Sequence, residues 1–113
     1  MSAYVSIKEE VLQKLETHLP EIRDRFGIET LSLFGSVARG EDTPASDIDL
    51  AYTRSSRGFG TIFLSVELAE YLKKLLGRSV DLVPLNWVKP RLLRYIEQDS
   101  IECGSSRVAA GDA

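Results

Sequence analysis

The chain has 113 residues, of which 17 are acidic and 14 are basic, with a net charge of −3 and 43% hydrophobic residues. This length predicts one compact domain at residues 1–103, and the small polar residues at 104–113 predict a flexible C-terminal tail. The composition excludes a disordered or fibrous chain, and no apolar run approaches the about 20 residues that a membrane helix requires.

The N-terminus and the cysteine content bear on the cellular compartment. The N-terminal residues MSAYVSIKEE lack the basic region and apolar stretch of a secretory signal. Cys103 is the one cysteine in the sequence, which excludes an internal disulfide and a cysteine metal cluster. We therefore expect a cytoplasmic protein.

Residues 6–26 predict an amphipathic helix. Ser6 and Glu9 have the spacing of an N-terminal capping box. Apolar residues then recur with the period of a helix, at Ile7, Val11, Leu12, Leu15, Leu19 and Ile22. Pro20 removes a backbone donor inside this stripe, so we expect a kink or a break there, with a second short helical piece that ends at Gly27.

The middle of the chain predicts two strands separated by a helical turn and a loop. Residues 30–34 predict a short strand that runs into one or two helical turns at residues 37–40. Small polar residues and a proline predict a loop at residues 41–46. Apolar residues alternate over residues 48–53, as they do in a half-buried strand.

The second half of the chain predicts a loop, two helices and two strands. Residues 54–60 contain two arginines and two glycines without apolar periodicity, so we expect a mobile loop there. A second apolar helical stripe covers residues 61–76 and is followed by a glycine, the usual residue after a helix end. A third strand, a last helix and a short edge strand complete the prediction, at residues 79–83, 90–98 and 101–103. In the last helix we expect Leu92, Leu93 and Ile96 to face inward.

Asp47 and Asp49 are the first candidates for a functional site. They lie two residues apart at the start of the second strand, so their Cα atoms are about 6.5–7 Å apart and their side chains project from one face. Such a pair can hold Mg²⁺ ions together with substrate phosphates, and a two-metal site activates an attacking oxygen and stabilises a leaving one. Taken alone, the same spacing also fits a solvated strand end.

A third carboxylate favours the metal-binding interpretation. Asp81 lies among Val80, Leu82 and Val83 in an apolar strand, where a charge is costly without a partner. If this strand lies beside the strand of Asp49, Asp81 completes a three-carboxylate site and can take the proton of an attacking hydroxyl. The alternative is an edge strand on which Asp81 points to water.

Gly35 and Ser36 lie at the junction between the first strand and the helical turn. Glycine allows backbone N–H groups to approach a phosphate closely, and a helix N-terminus attracts its charge. Gly35 and Gly40 match the glycine spacing of a Walker A loop, but Glu41 stands where that motif requires lysine, which excludes a P-loop. Arg39 can neutralise phosphate charge or support the loop, and the sequence leaves both roles open.

Four other residues also have open interpretations. Trp87 and Tyr95 can stack on a base, although packing in the core or an interface is the favoured interpretation. Arg54 and Arg57 can clamp a nucleotide, touch a partner or belong to a solvated loop.

The run GSVARGEDTPASDIDL at residues 35–50, followed by the isolated aspartate at 81, resembles the DNA polymerase beta-type nucleotidyltransferase superfamily in its minimal form. The resemblance covers about residues 7–101 and implies an α/β (α+β) fold, with a small mixed β-sheet flanked by helices. It implies that a hydroxyl attacks the α-phosphate of a nucleoside triphosphate and releases pyrophosphate. It implies that Gly35 and Ser36 hold the triphosphate. It also implies that two Mg²⁺ ions are bound by Asp47, Asp49 and Asp81.

The resemblance also implies a partner. Minimal nucleotidyltransferases of this kind typically pair with a small HEPN-domain protein, often as the antitoxin to a HEPN ribonuclease toxin. It therefore implies AMP transfer from ATP to a tyrosine hydroxyl of that toxin. We expect the partner to supply the acceptor, because the chain has no residues left for an acceptor-binding domain.

Two other functions remain open, namely an antitoxin that masks its partner by binding alone, and nucleotidyl transfer to a small molecule or an RNA end. Without the three candidate metal ligands, the acidic and basic residues balance. A neutral surface supplies few phosphate contacts, so a long nucleic acid is a weak candidate for the main partner.

Overall fold

A computed structural model describes residues 4–54 and 61–104, with the backbone alone at residues 61–63. The described residues form helices and strands in the order α1 (Lys8–Phe26), β1 (Ile28–Phe34), α2 (Gly35–Arg39), β2 (Ile48–Arg54), α3 (Thr61–Leu76), β3 (Val80–Pro84), α4 (Pro90–Asp99) and β4 (Ile101–Glu102). A 3-10 turn at Leu85–Trp87 precedes α4. No helix within these ranges is long and apolar enough to cross a membrane.

The strands form one mixed sheet in the order β3-β2-β1-β4. β1 is antiparallel to both β2 and β4, whereas β2 and β3 are parallel. A parallel pair needs a long crossover connection, and α3 lies in the connection between β2 and β3. The predicted small mixed sheet with flanking helices is therefore confirmed.

Apolar clusters cover both faces of the sheet. Leu50 and its alternate neighbours pack with the buried stripes of α1 and α3. Phe34 and Ala51 pack with Ile96 of α4. Because successive side chains of a strand point to opposite faces, Asp49 lies on the α4 side of the sheet. The side of the sheet that carries the candidate carboxylate is thus set by strand alternation.

α1 runs from Lys8 to Phe26 without interruption, so the predicted break at Pro20 is wrong. Pro20 lies on the exposed side of the helix, where water can replace the missing backbone hydrogen bond. The opposite side is held by six buried apolar residues, Val11, Leu12, Leu15, Leu19, Ile22 and Phe26. The predicted end is confirmed, because Gly27 adopts the left-handed conformation and its N–H bonds to the carbonyl of Arg23 at 3.0 Å.

The start of α1 differs from the predicted capping box. The N-cap residue is Ile7, and no side chain caps it. The Ser6 hydroxyl instead accepts the N–H of Lys8 at 3.1 Å and donates to the carboxylate of Asp42. The Ser6 hydroxyl therefore bonds both to the first residue of α1 and to a residue distant in sequence.

The carboxylate of Asp42 ties the N-terminal segment to the loop before β2. Asp42 is only 6% exposed. Its oxygens accept the hydroxyls of Tyr4, at 2.5 Å, and Ser6, and the backbone N–H of Ile7 at 3.2 Å. Three donors thus surround one buried charge, which holds the two segments together.

Arg78 extends this network to the start of β3. Its guanidinium donates to the Tyr4 hydroxyl at 2.8 Å and to the carbonyls of Thr43 and Ser46 at 2.8 and 3.3 Å. These carbonyls belong to the loop that leads to Asp47. We call Tyr4, Ser6, Asp42 and Arg78 the N-terminal latch, because they hold together the segments that precede both candidate strands.

The surroundings of Asp42 have a consequence for stability. Burial alone raises the pKa of Asp42, but hydrogen bonds from Ser6, Tyr4 and Ile7 outweigh it and lower the pKa below its usual value. A carboxyl with a lowered folded-state pKa stabilises the fold above its unfolded-state pKa, about 3.9. That contribution is lost as the pH falls through the folded-state pKa.

We predict that Asp42→Asn lowers the free energy of unfolding by about 1–3 kcal/mol at pH 7, because the amide leaves a buried donor unsatisfied. The difference from the wild-type protein should shrink below about pH 4, as first the unfolded wild-type chain and then the folded protein take up a proton on this carboxyl. Urea denaturation at pH 7 and at the lowest pH that keeps the protein folded measures both values. Asp24→Asn, on the exposed side of α1, is the control. If the difference in the free energy of unfolding between Asp42→Asn and the wild-type protein were the same at both pH values, the prediction would be contradicted.

Candidate active site

The site begins where β1 meets β2. The last residue of β1, Phe34, pairs with Asp49 of β2, so the next residue, Gly35, lies against the Asp49 carboxylate. Gly35 has a φ of 78°, and a Cβ atom there would overlap Oδ2 of Asp49 and lie 3.1 Å from its Cγ. Glycine is therefore required both for the backbone conformation and for the approach of the chain to this carboxylate.

Asp81 lies directly beside Asp49. The parallel pairing of β2 and β3 places the two residues in register. β3 is also the edge strand of the sheet, and Asp81 is exposed. The predicted position of β3 beside β2 is confirmed. The alternative prediction, an edge strand with an exposed Asp81, also describes the structure.

Asp49 and Asp81 face a cavity of about 480 Å³ between the sheet and α4. The polar residues along it come from α2, β2 and β3, and the apolar residues come mainly from α4. The cavity is lined by Phe34, Gly35, Ser36, Arg39, Asp49, Asp81, Val83, Leu92, Tyr95 and Ile96. Asp47 is exposed just before β2 and is not among these residues.

Burial and neighbouring charges raise the pKa of Asp49 above its usual value. Burial is the largest cause, followed by the negative charges of Asp81 and then Asp47, while the charge of Arg39 acts in the opposite direction. Asp49 is therefore repelled by both Asp81 and Asp47. A bound cation would relieve this repulsion.

The donor set fits Mg²⁺. Within residues 4–54 and 61–104, no group of three or more His, Cys, Asp or Glu side chains is placed to hold a metal ion. Mg²⁺, however, is usually bound by one or two carboxylates together with waters and substrate phosphates. Asp49 and Asp81 supply two such carboxylates in one cavity, and the role of Asp47 stays a prediction.

Gly35 and Ser36 line the cavity at the strand-to-helix junction, as the sequence predicted. Arg39 also lines it, and its guanidinium donates to Glu41 at 2.8 Å and to Asp99 of α4 at 2.9 Å. The hydrogen bond to Glu41 and, to a smaller extent, the one to Asp99 raise the pKa of Arg39 above its usual value, so Arg39 stays charged. Of the two open roles of Arg39, the structure shows the supporting one, since it joins α2 to α4.

Three predictions about aromatic and apolar residues are corrected. Trp87 is 82% exposed and Tyr95 is 56% exposed, so packing of either in the core is wrong. Leu92 is 45% exposed rather than inward-facing. α4 contacts the sheet through Ile96, and this leaves Leu92 and Tyr95 along the cavity.

The arginines also differ from one another. Arg54 ends β2 and does not line the cavity, and its backbone N–H donates to Asn86 at 3.1 Å. Arg57 lies outside the described residues. The role of Arg78 in the N-terminal latch was missed, because its partners are carbonyls and a hydroxyl brought near by the tertiary fold and no local motif marks them.

Comparisons with known proteins identify the family of the chain. A family model described as Polymerase beta, Nucleotidyltransferase matches residues 13–104. The chain belongs to this family. It is a nucleotidyltransferase, and the resemblance drawn from residues 35–50 is confirmed.

Two relatives in the comparisons are matched over nearly their whole length. A candidate protein adenylyltransferase of Methanocaldococcus jannaschii is 36% identical over 93 residues, which cover 81% of this chain and 93% of that protein. The protein adenylyltransferase MntA of Thermococcus cleftensis is 33% identical over 93 residues, covering 82% and 92%.

Solved structures share the fold. A candidate minimal nucleotidyltransferase superposes with a TM-score of 0.69 at 30% identity, over 81% of this chain and 92% of that chain. A chain from the complex between the tri-AMPylated HEPN toxin and the MNT antitoxin of Shewanella oneidensis has a TM-score of 0.60 at 20% identity, over 88% of this chain and 77% of that chain. At that identity the second likeness shows the fold alone.

We predict that Gly35→Ala weakens the binding of Mg-ATP by at least about 10-fold, because the added methyl group displaces Asp49. Gly77→Ala is a matched control, since Gly77 has a φ of 77° and open space around the position of a Cβ. Both variants should lose about 1–2 kcal/mol of stability from backbone strain. Isothermal titration calorimetry and urea denaturation separate the two effects, and equal loss of binding in both variants would contradict the role of Gly35.

Proposed function

We propose that this nucleotidyltransferase transfers AMP from ATP to a tyrosine hydroxyl of a partner HEPN-domain toxin, and that it acts as an antitoxin in this way. The observation that carries the proposal is the contact of the Gly35 backbone with Asp49, in register with Asp81, within a single cavity. The choice of a protein acceptor is supported by the two relatives named as protein adenylyltransferases, which this chain matches over nine-tenths of their length.

The donor end of the reaction belongs to Gly35 and Ser36. These residues line the cavity at the first turn of α2. The backbone N–H groups at the start of α2 carry a partial positive charge, which attracts the triphosphate. The two residues thus hold and orient the phosphates for transfer.

The carboxylates supply the metal site. Asp49 and Asp81, with Asp47 at the start of the same strand, would hold two Mg²⁺ ions. When bound, the ions neutralise phosphate charge and stabilise the leaving oxygen. Arg39 adds a fixed positive charge on the cavity lining, held by its hydrogen bonds to Glu41 and Asp99.

The transfer needs no reactant besides ATP and the acceptor hydroxyl. The acceptor oxygen forms a bond to the α-phosphorus of ATP while the bond from that phosphorus to the bridging oxygen of pyrophosphate breaks. The proton of the acceptor hydroxyl passes to the exposed carboxylate of Asp81, which lies on the cavity lining and can release it to water. The products are an adenylylated tyrosine and pyrophosphate.

We predict that incubation with ATP, Mg²⁺ and the proposed HEPN-domain partner adds adenylyl groups to a tyrosine of that partner. Intact-mass and tandem mass spectrometry measure the adduct and locate it. Asp49→Asn should reduce the rate by at least about 100-fold, because it removes a charge from the centre of the site. Asp24→Asn preserves the site and should act as the wild-type protein does.

The same experiment distinguishes the two other candidate functions. Inhibition of the toxin by a complex that gains no adenylyl mass, and that Asp49→Asn forms equally well, would establish masking by binding. Transfer by the isolated chain to a small molecule or an RNA end would establish a different acceptor. Undiminished transfer by Asp49→Asn would contradict the proposed chemistry itself.

A further inference from the structure

The cavity has two unlike sides, and the proposed function uses only one of them. Its polar side carries Gly35, Ser36 and the two carboxylates. Its apolar side carries Leu92, Tyr95 and Ile96 of α4, together with Val83 of β3. No part of the triphosphate chemistry explains why an aromatic ring lies on this second side.

Tyr95 is unusual among the residues of the cavity. It is 56% exposed, although an aromatic ring gains much from burial. Leu92 lies three residues earlier on the same side of α4 and is 45% exposed, so the two side chains form a continuous apolar surface. Within the described residues, no hydrogen bond holds the Tyr95 hydroxyl. The ring is therefore placed for a contact that the isolated chain does not make.

We propose that Tyr95, supported by Leu92, stacks on the base of the donor nucleotide. The inference rests on the proposed function, since it assigns the base position for the nucleotide whose phosphates lie at Gly35 and Ser36. A cavity of about 480 Å³ lies within the range of about 300–1,000 Å³ that holds one small ligand. One molecule with a polar triphosphate end and a flat aromatic end matches both sides of the cavity.

The tyrosine ring of an acceptor fits this surface less well. The acceptor oxygen must attack the α-phosphorus roughly in line with the leaving group. The base, by contrast, is joined to the α-phosphate through the ribose, so it must lie against a wall of the cavity that holds the phosphates. The shared cavity therefore favours the donor base as the group on Tyr95.

The character of the surface also predicts the nucleotide specificity. Val83, Leu92 and Ile96 offer no side-chain hydrogen-bonding atoms, and every base presents an aromatic face for stacking. This contact therefore distinguishes nucleotides by the stacking area of the base more than by its hydrogen-bonding edge. We expect ATP and GTP to depend on Tyr95 to a similar extent.

Calorimetric titration of the full chain with Mg-ATP, Mg-GTP and Mg-tripolyphosphate tests the assignment. Tyr95→Ala should weaken both nucleotides by about 5- to 150-fold, the range for loss of one stacked base, and leave tripolyphosphate unchanged. Tyr95→Phe should restore nucleotide binding, because it keeps the ring. Trp87→Ala is the matched control, since Trp87 is 82% exposed and does not line the cavity.

The outcomes separate this inference from the proposed function. The base contact would be overturned if Tyr95→Ala bound both nucleotides as tightly as the wild-type protein, or if its affinity for tripolyphosphate fell as much as its affinity for the nucleotides. Either result would leave the proposed function standing. If Tyr95→Ala binds ATP normally but needs more partner protein for half-maximal adenylylation, Tyr95 contacts the acceptor and not the base, which would also overturn the inference. Failure of the wild-type protein to bind any nucleotide would overturn the proposed function together with this inference.

Discussion

The contact between the Gly35 backbone and the Asp49 carboxylate is the constraint on which the rest of the site depends. It exists because β1 ends at the residue that pairs with Asp49, so the chain must turn directly over that side chain. A glycine is the one residue that accepts both the positive φ and the close approach. One antiparallel pairing thus places the backbone proposed to bind phosphate against the carboxylate proposed to bind metal.

The order of the strands adds the second carboxylate. β3 lies beside β2 and parallel to it, and the register sets Asp81 against Asp49. A charged residue in an apolar edge strand also discourages pairing with other chains. The exposed edge position of Asp81 therefore explains how the fold tolerates a charge between apolar neighbours.

The loops that lead into these strands are held by interactions remote in sequence. Asp42 accepts hydrogen bonds from the N-terminal segment. Arg78 donates hydrogen bonds to the carbonyls of Thr43 and Ser46, just before Asp47. Arg39 joins α2 to α4 through Asp99. The segments that lead into β2 and α4 are consequently held in place, while Leu92 and Tyr95 stay exposed.

The sequence by itself determined the elements, the family and the residues of the polar side. Apolar periodicity predicted the buried side of α1, and the pattern of Gly35, Ser36 and Asp49 predicted residues that line the cavity, because these features depend on neighbours along the chain. Only the tertiary structure decided that α1 continues through Pro20, that Ser6 and Arg78 belong to a latch, and that Leu92 and Tyr95 line a cavity. Each of these depends on which distant segments meet, and a pattern of local residues does not contain that information.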